Sequence, residues 1–323
     1  MYQKINIYKI SVFCSLTFII FSAFNYSIAA DNEQKLFSSA EEAVEAFIKA
    51  VKENNNEELL KIFGRDANEL IYSGDEIADK ERRKIFIDAY DANFKIENDT
   101  NALILIVGKN EWPFPIPIIK KNDHWIFDTA AGKEEILNRR IGYNELSAIQ
   151  VLHAIVDAQM EYAAEPHDNN GLHVYARKFR SDPNKQNGLY WETKEGQKPS
   201  PLGPLVTSAQ EQGYFEKSSA EIQPYHGYYY QIITSQGENA SGGAYDYIVN
   251  GKMIGGFAVV AWPANYGNSG VTTFIVNHDG IVYQKDLGEN TESKAMNITV
   301  FDPDKSWIKA DNKDKDQYSE IER

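Results

Sequence analysis

Residues 272–285 read TTFIVNHDGIVYQK, and the fold class turns on them. Thr272 to Asn277 and Ile281 to Lys285 are runs of β-branched and aromatic residues, and Asn277-His278-Asp279-Gly280 between them is a turn that joins antiparallel neighbours. Working back along the chain, Met253 to Trp262 and Tyr228 to Thr234 are further strand-like runs. Ahead of them, from Ile141, lies a helix. Leu146, Ile149, Leu152, Ile155, Val156 and Gln159 recur on one face, with Gln150, His153, Asp157 and Glu161 on the other. A long helix packed on an antiparallel sheet is therefore expected over residues 141–301.

That arrangement resembles the globular domain of pilin-like proteins. The helix lacks the hydrophobic extension with which pilins insert and polymerise, so the resemblance implies the shape alone. A second α+β module is expected upstream, over residues 36–137. Ser38 and Glu41 have the spacing of a capping box, and Val44, Phe47, Ile48 and Val51 form an apolar helical face. Leu59, Leu60, Ile62 and Phe63 predict a short second helix that ends at Gly64, and Asp79 to Tyr90 predicts a third. Strands follow at Ala102–Val107, around Ile116–Lys120 and at Trp125–Asp128. Helices followed by a curved sheet resemble the nuclear-transport-factor-2-like (NTF2-like) cone.

The N-terminus has the order of a secretory signal peptide, residues 1–30. Lys4 and Lys9 precede an apolar run from Ile10 to Phe24, and Ser27-Ile28-Ala29-Ala30 supplies small side chains for cleavage before Asp31. The run is shorter than the roughly 20 residues a membrane-spanning helix needs. A periplasmic or secreted location is expected, with no membrane attachment after cleavage. Cleavage removes Cys14, the only cysteine, so disulfides, thiol nucleophiles and thiolate metal sites are excluded from the mature chain. It also moves the net charge from −14 to −16, because Lys4 and Lys9 are lost and no acid goes with them. That sign disfavours nucleic acid and anionic membranes as partners. Asp302 to Arg323 is a charged C-terminal tail with Trp307 and Ile308 as its anchors.

A series of motifs runs through the second half. It includes Gly188-Leu189-Tyr190-Trp191, Ser200-Pro201-Leu202-Gly203-Pro204 and Pro224-Tyr225-His226-Gly227-Tyr228-Tyr229-Tyr230. Gly242-Gly243-Ala244-Tyr245-Asp246-Tyr247, Gly255-Gly256-Phe257-Ala258, Ala261-Trp262-Pro263-Ala264 and Val282-Tyr283-Gln284-Lys285-Asp286-Leu287-Gly288 complete it. The series, with Trp112-Pro113-Phe114-Pro115 upstream, resembles the DUF2950 family of bacterial exported proteins. The resemblance implies the compartment and the two-part layout, and no activity.

Candidate chemistry is sparse. His167, Asp168 and His173, with Glu165, form the densest His/acid cluster in the sequence and are the candidate metal ligands; they equally fit a solvated loop. No His-Glu-x-x-His, Gly-x-Ser-x-Gly or P-loop pattern occurs, so neither a cofactor nor a catalytic residue is expected. Aromatic residues are more plentiful. Trp112, Phe114, Trp191, Tyr225, Tyr228, Tyr230, Tyr245 and Trp262 are the candidate binding residues, because Tyr and Trp offer rigid contact area with polar edges. The alternative is that they serve the protein's own cores. The alternation of proline with apolar residues over Trp112–Pro117 fits an edge strand that plugs the core or a docking surface. A non-catalytic binding or accessory protein of the cell envelope is the leading expectation, its partner another exported protein or an envelope glycan. The alternatives are a scaffold that docks through Trp112–Pro117 and a metal-dependent hydrolase centred on the His167–His173 loop.

Overall fold

The structure, a computed structural model, describes residues 34–99, 102–167, 171–194, 196–212, 214 and 223–310. The expected signal peptide with Cys14, Asp168, and residues 311–323 of the tail lie outside the described residues. The chain is α+β, with helices and antiparallel sheets.

The first helices are α1 (Ala40–Lys52), α2 (Asn56–Phe63), the one-turn α3 (Asn68–Ile71) and α4 (Glu76–Ala92). The capping register of α1 is one residue later than expected. Ser39 caps it by accepting from Glu42 N–H at 3.1 Å, and Glu42 reaches back to the Ser38 N–H at 2.8 Å. Adjacent serines and adjacent glutamates allow either register. Ser39 is the one that puts the run from Ala40 to Val51 on the buried side, with Ala43, Val44 and Phe47 inside. Five antiparallel strands follow: β1 (Phe94–Asp99), β2 (Ala102–Val107), β3 (Trp112–Pro113), β4 (Ile118–Lys121) and β5 (His124–Phe127). Their order is β1-β2-β4-β5, with β3 paired to β2. β1 was not legible in the sequence, since Lys95, Glu97 and Asp99 make its text read as polar loop. Phe47 sits at the centre of the core, with ring centroids 4.9 Å from Phe114, 5.2 Å from Phe63, 5.4 Å from Phe86 and 5.5 Å from Phe127.

α5 is unbroken from Thr129 to Ala163, 35 residues, and so begins twelve positions earlier than the apolar spacing indicates. Asp128 caps it. Residues 133–140 lack a regular apolar stripe, but Lys, Glu, Leu and Arg are good helix formers and sustain the helix between two cores. Its C-terminal half, through Val151, Leu152, Ile155 and Val156, enters a second core. Next come α6 (Gly203–Glu211), β6 (Tyr228–Ile233), β7 (Ser235–Gln236), β8 (Tyr245–Asp246), β9 (Ile248–Val249), β10 (Lys252–Met253), β11 (Ala258–Pro263), β12 (Thr272–Asn277), β13 (Val282–Asp286), α7 (Thr291–Met296) and β14 (Ile308–Lys309). The main sheet has the order β14-β13-β12-β11-β6 and is antiparallel throughout. The hairpin at 277–280 closes β12 on β13 as its sequence predicts. β11 is buried along its whole length, so both of its faces are covered. α5 and α7 both reach it.

The Pro-rich loop and the start of the tail both carry structure. α6 starts within the Pro-rich loop, with Pro204 in its first turn, where a missing N–H costs nothing. The tail is anchored up to residue 310, because Phe301 is buried and Ile308 pairs with Gln284.

α5 crosses the Trp112–Pro117 segment at Gly132. A Cβ there would lie 2.6 Å from Pro115 O and 2.7 Å from Ile116 Cα, so only glycine permits the approach. Overpacking costs about 1–3 kcal/mol, whereas alanine gains only ~1 kcal/mol over glycine in a helix. Gly132→Ala is therefore expected to lower the urea midpoint. A raised midpoint would mean that the helix and the proline segment separate without cost.

Candidate functional site

The expected aromatic residues do not form one surface. Phe114 is buried in the first core, and Trp112 beside it is 38% exposed, with the Arg139 guanidinium 5.3 Å from its ring. Trp191 lies in another place, edge-on to Tyr162 and His167. Tyr228 points into the main sheet, where its hydroxyl donates to Thr272 O at 2.9 Å. Trp262 is buried against Tyr229, and its Nε1 has no hydrogen-bond partner among the described residues. Tyr245 is 38% exposed next to Tyr247.

Of the candidate metal ligands, His167 stacks on Tyr162 with ring centroids 3.7 Å apart. Burial lowers its pKa. The exposed His173 places Nδ1 2.7 Å from Ala163 O. Among the described residues, no three His, Cys, Asp or Glu side chains are grouped to hold a metal ion.

Tyr225 and Tyr230 do converge, on a polar cluster that the sequence did not reveal. Asp75, 3% exposed, caps α4 by accepting from Ala78 N–H at 3.0 Å. Its other oxygen accepts from the Tyr214 hydroxyl at 2.7 Å and from the Gly227 N–H at 2.9 Å. Three donors on one carboxyl group offset its loss of water. Asp79, one turn along α4, accepts from Ser73 N–H and lies 3.5 Å from Arg82. Arg82 donates to Asn144 of α5 at 2.5 Å, and Asn144 donates to Ser269 O at 2.8 Å. Arg140, one turn earlier on α5, donates to Glu69 O at 2.6 Å, Leu70 O at 2.5 Å and the Asn268 side chain. Burial lowers its pKa to about 10, which leaves it charged at neutral pH.

Gly227 and His226 supply the backbone geometry. Gly227 has φ +72, and a Cβ there would meet Asn144 Nδ2 at 2.5 Å. His226, with φ +50, lies 4.2 Å ring to ring from Tyr225, with Tyr143 and Tyr214 further out. Burial brings its pKa down to about 4, against the smaller pull of Asp75. The imidazole is neutral at pH 7. Burial also raises Tyr225 to about 12 and Tyr214 further still, the latter helped by Asp75. Tyr214 stays protonated and donates a hydrogen bond to Asp75. The arrangement fastens the start of α4 to α5 and to the turns at 226–227 and 265–269. The sequence signals for it are Asp75 as a helix cap and the Tyr-His-Gly triplet at 225–227.

A family model described as a protein of unknown function, DUF2950, matches residues 34–310. The chain belongs to the DUF2950 family. No curated protein and no solved structure matches it. The DUF2950 match spans every residue of the Asp75 cluster and ends at residue 310, one residue past β14.

Two outcomes are expected. Asp75→Ala leaves the Tyr214 hydroxyl and the Gly227 N–H buried without an acceptor and costs about 2–4 kcal/mol in denaturant unfolding. His226 is protonated near pH 6.5 when unfolded but only near pH 4 when folded. Its contribution is therefore complete above pH 6.5 and declines as pH falls towards 4. His226→Asn, which tolerates the positive φ, is expected to flatten the stability profile over that window by about 1–2 kcal/mol. Parallel profiles would show that other groups set the acid limit.

Proposed function

We propose that this DUF2950 protein is exported and serves as a non-catalytic binding or accessory protein of the cell envelope. The observation that carries the export reading is a coincidence of boundaries. The family match begins at residue 34, just past the cleavage point expected between Ala30 and Asp31. Among the described residues no helix is long and apolar enough to cross a membrane. Two modules account for the two separate cores. The first, with α1, α2 and α4 over its five-stranded sheet, is in keeping with an NTF2-like cone, and the second, α5 on its antiparallel sheet, with a pilin-like domain.

Binding is supported by where the aromatic rings and charges stand. Asp75, Arg140 and Asn144 are committed to internal bonds, whereas Trp112 and Tyr245 keep more than a third of their surface open. Trp112 carries a cation over its ring, a surface suited to a protein or glycan partner.

Expression of the full chain, followed by periplasmic extraction and N-terminal sequencing, is expected to yield a protein that starts at Asp31. Recovery from the cytoplasm with Met1 or Tyr2 at its start would overturn export. Co-sedimentation with purified cell-wall glycan and capture of periplasmic proteins test binding. Trp112→Ala or Tyr245→Ala is expected to reduce one of them by about fivefold, close to 1 kcal/mol. If both variants behave as the parent chain in both assays, neither ring belongs to a binding surface.

A further inference from the structure

A groove of about 630 Å³ runs along the solvent side of α4, against the C-terminal end of α1. Its size lies in the range of small-molecule sites, roughly 300–1,000 Å³. Ile77 and Ile87, both half-buried, are its open apolar lining, and Lys80, Arg83 and Lys84 stand between them on α4. Residues 80–84 hold four cations, Lys80, Arg82, Arg83 and Lys84, and three of them line the groove. Their charge is not cancelled by direct pairing. The half-buried Arg83 donates only to neutral oxygens, Ile71 O at 3.0 Å and Asn54 Oδ1 at 3.4 Å. No ion pair involves Lys80 or Lys84 among the described residues. Lys52, also on the wall, is occupied by Asp91 at 2.8 Å.

We infer that this groove binds a small monoanionic amphiphile, a carboxylate on an aliphatic chain of the free fatty-acid class. The open apolar lining requires an apolar body, because a bare inorganic anion leaves the half-buried Ile77 and Ile87 uncovered. The three cations require a negative head. Glu76 and Glu81 on the same wall set the charge limit, since they repel a multiply charged group such as a phosphorylated headgroup. The reading is separate from the export proposal and from the Trp112 and Tyr245 surfaces, which lie elsewhere.

Decanoate titrated into the full chain by calorimetry at low ionic strength is expected to fill one saturable site. Added salt is expected to weaken binding, because the cations are partly solvated. The double variant Lys80→Glu with Lys84→Glu changes only exposed side chains and is expected to weaken binding at least tenfold. Ile77→Ser is expected to weaken it about fivefold. Its unfolding midpoint, compared with the parent, separates loss of lining from loss of fold. Decanol, which shares the chain but not the charge, is expected to bind at least tenfold more weakly. The inference is overturned if decanoate gives no saturable heat, if decanol binds equally well, or if the double variant binds as the parent does.

Discussion

Arg140 imposes the constraint on which the rest of the molecule depends. The residue is 7% exposed, and an arginine so placed stays charged only if its donors are met. The acceptors are Glu69 O and Leu70 O, from the end of the first helical layer, and the side chain of Asn268, from a turn beside the second sheet. One side chain therefore requires three distant segments to stand in fixed positions. Asn144, one turn on, repeats the requirement through Arg82 and Ser269. Asp75 adds a third fastening from the opposite side of the seam.

Much of the architecture was legible because it rests on local rules. The 272–285 hairpin, the apolar face of α1 and the C-terminal half of α5 follow from periodicity and turn chemistry. β1 was missed because Lys95, Glu97 and Asp99 make it polar, and it becomes a strand only by pairing with β2. The start of α5 was missed for a related reason. Residues 133–140 carry no single apolar stripe, since this part of the helix passes from one core to the other.

The polar cluster was illegible for a different reason. Asp75, Tyr214 and Gly227 are polar or small residues of kinds found in any loop, separated by up to 152 positions, and nothing in their spacing marks them. Aromatic richness, by contrast, was visible but did not locate a site. Tyr228 and Trp262 are spent on the sheet, Phe114 on the first core, and Tyr225 and Tyr230 on the cluster. Composition indicates how much ring surface a chain owns, and only the fold determines how much of it is left over.

The unbroken course of α5 also bears on how the protein can be taken apart. Residues 138–140, where sequence patterning marks the join between modules, lie inside a continuous rod about 52 Å long. A scission there opens a fresh helix end on each fragment, with four unmet carbonyls on one and four unmet amides on the other. It also leaves Arg140 and Asn144 on a fraying terminus, detached from the capped start of their helix. Either half is better obtained as a fragment that retains the whole of 129–163, with the rod duplicated rather than divided.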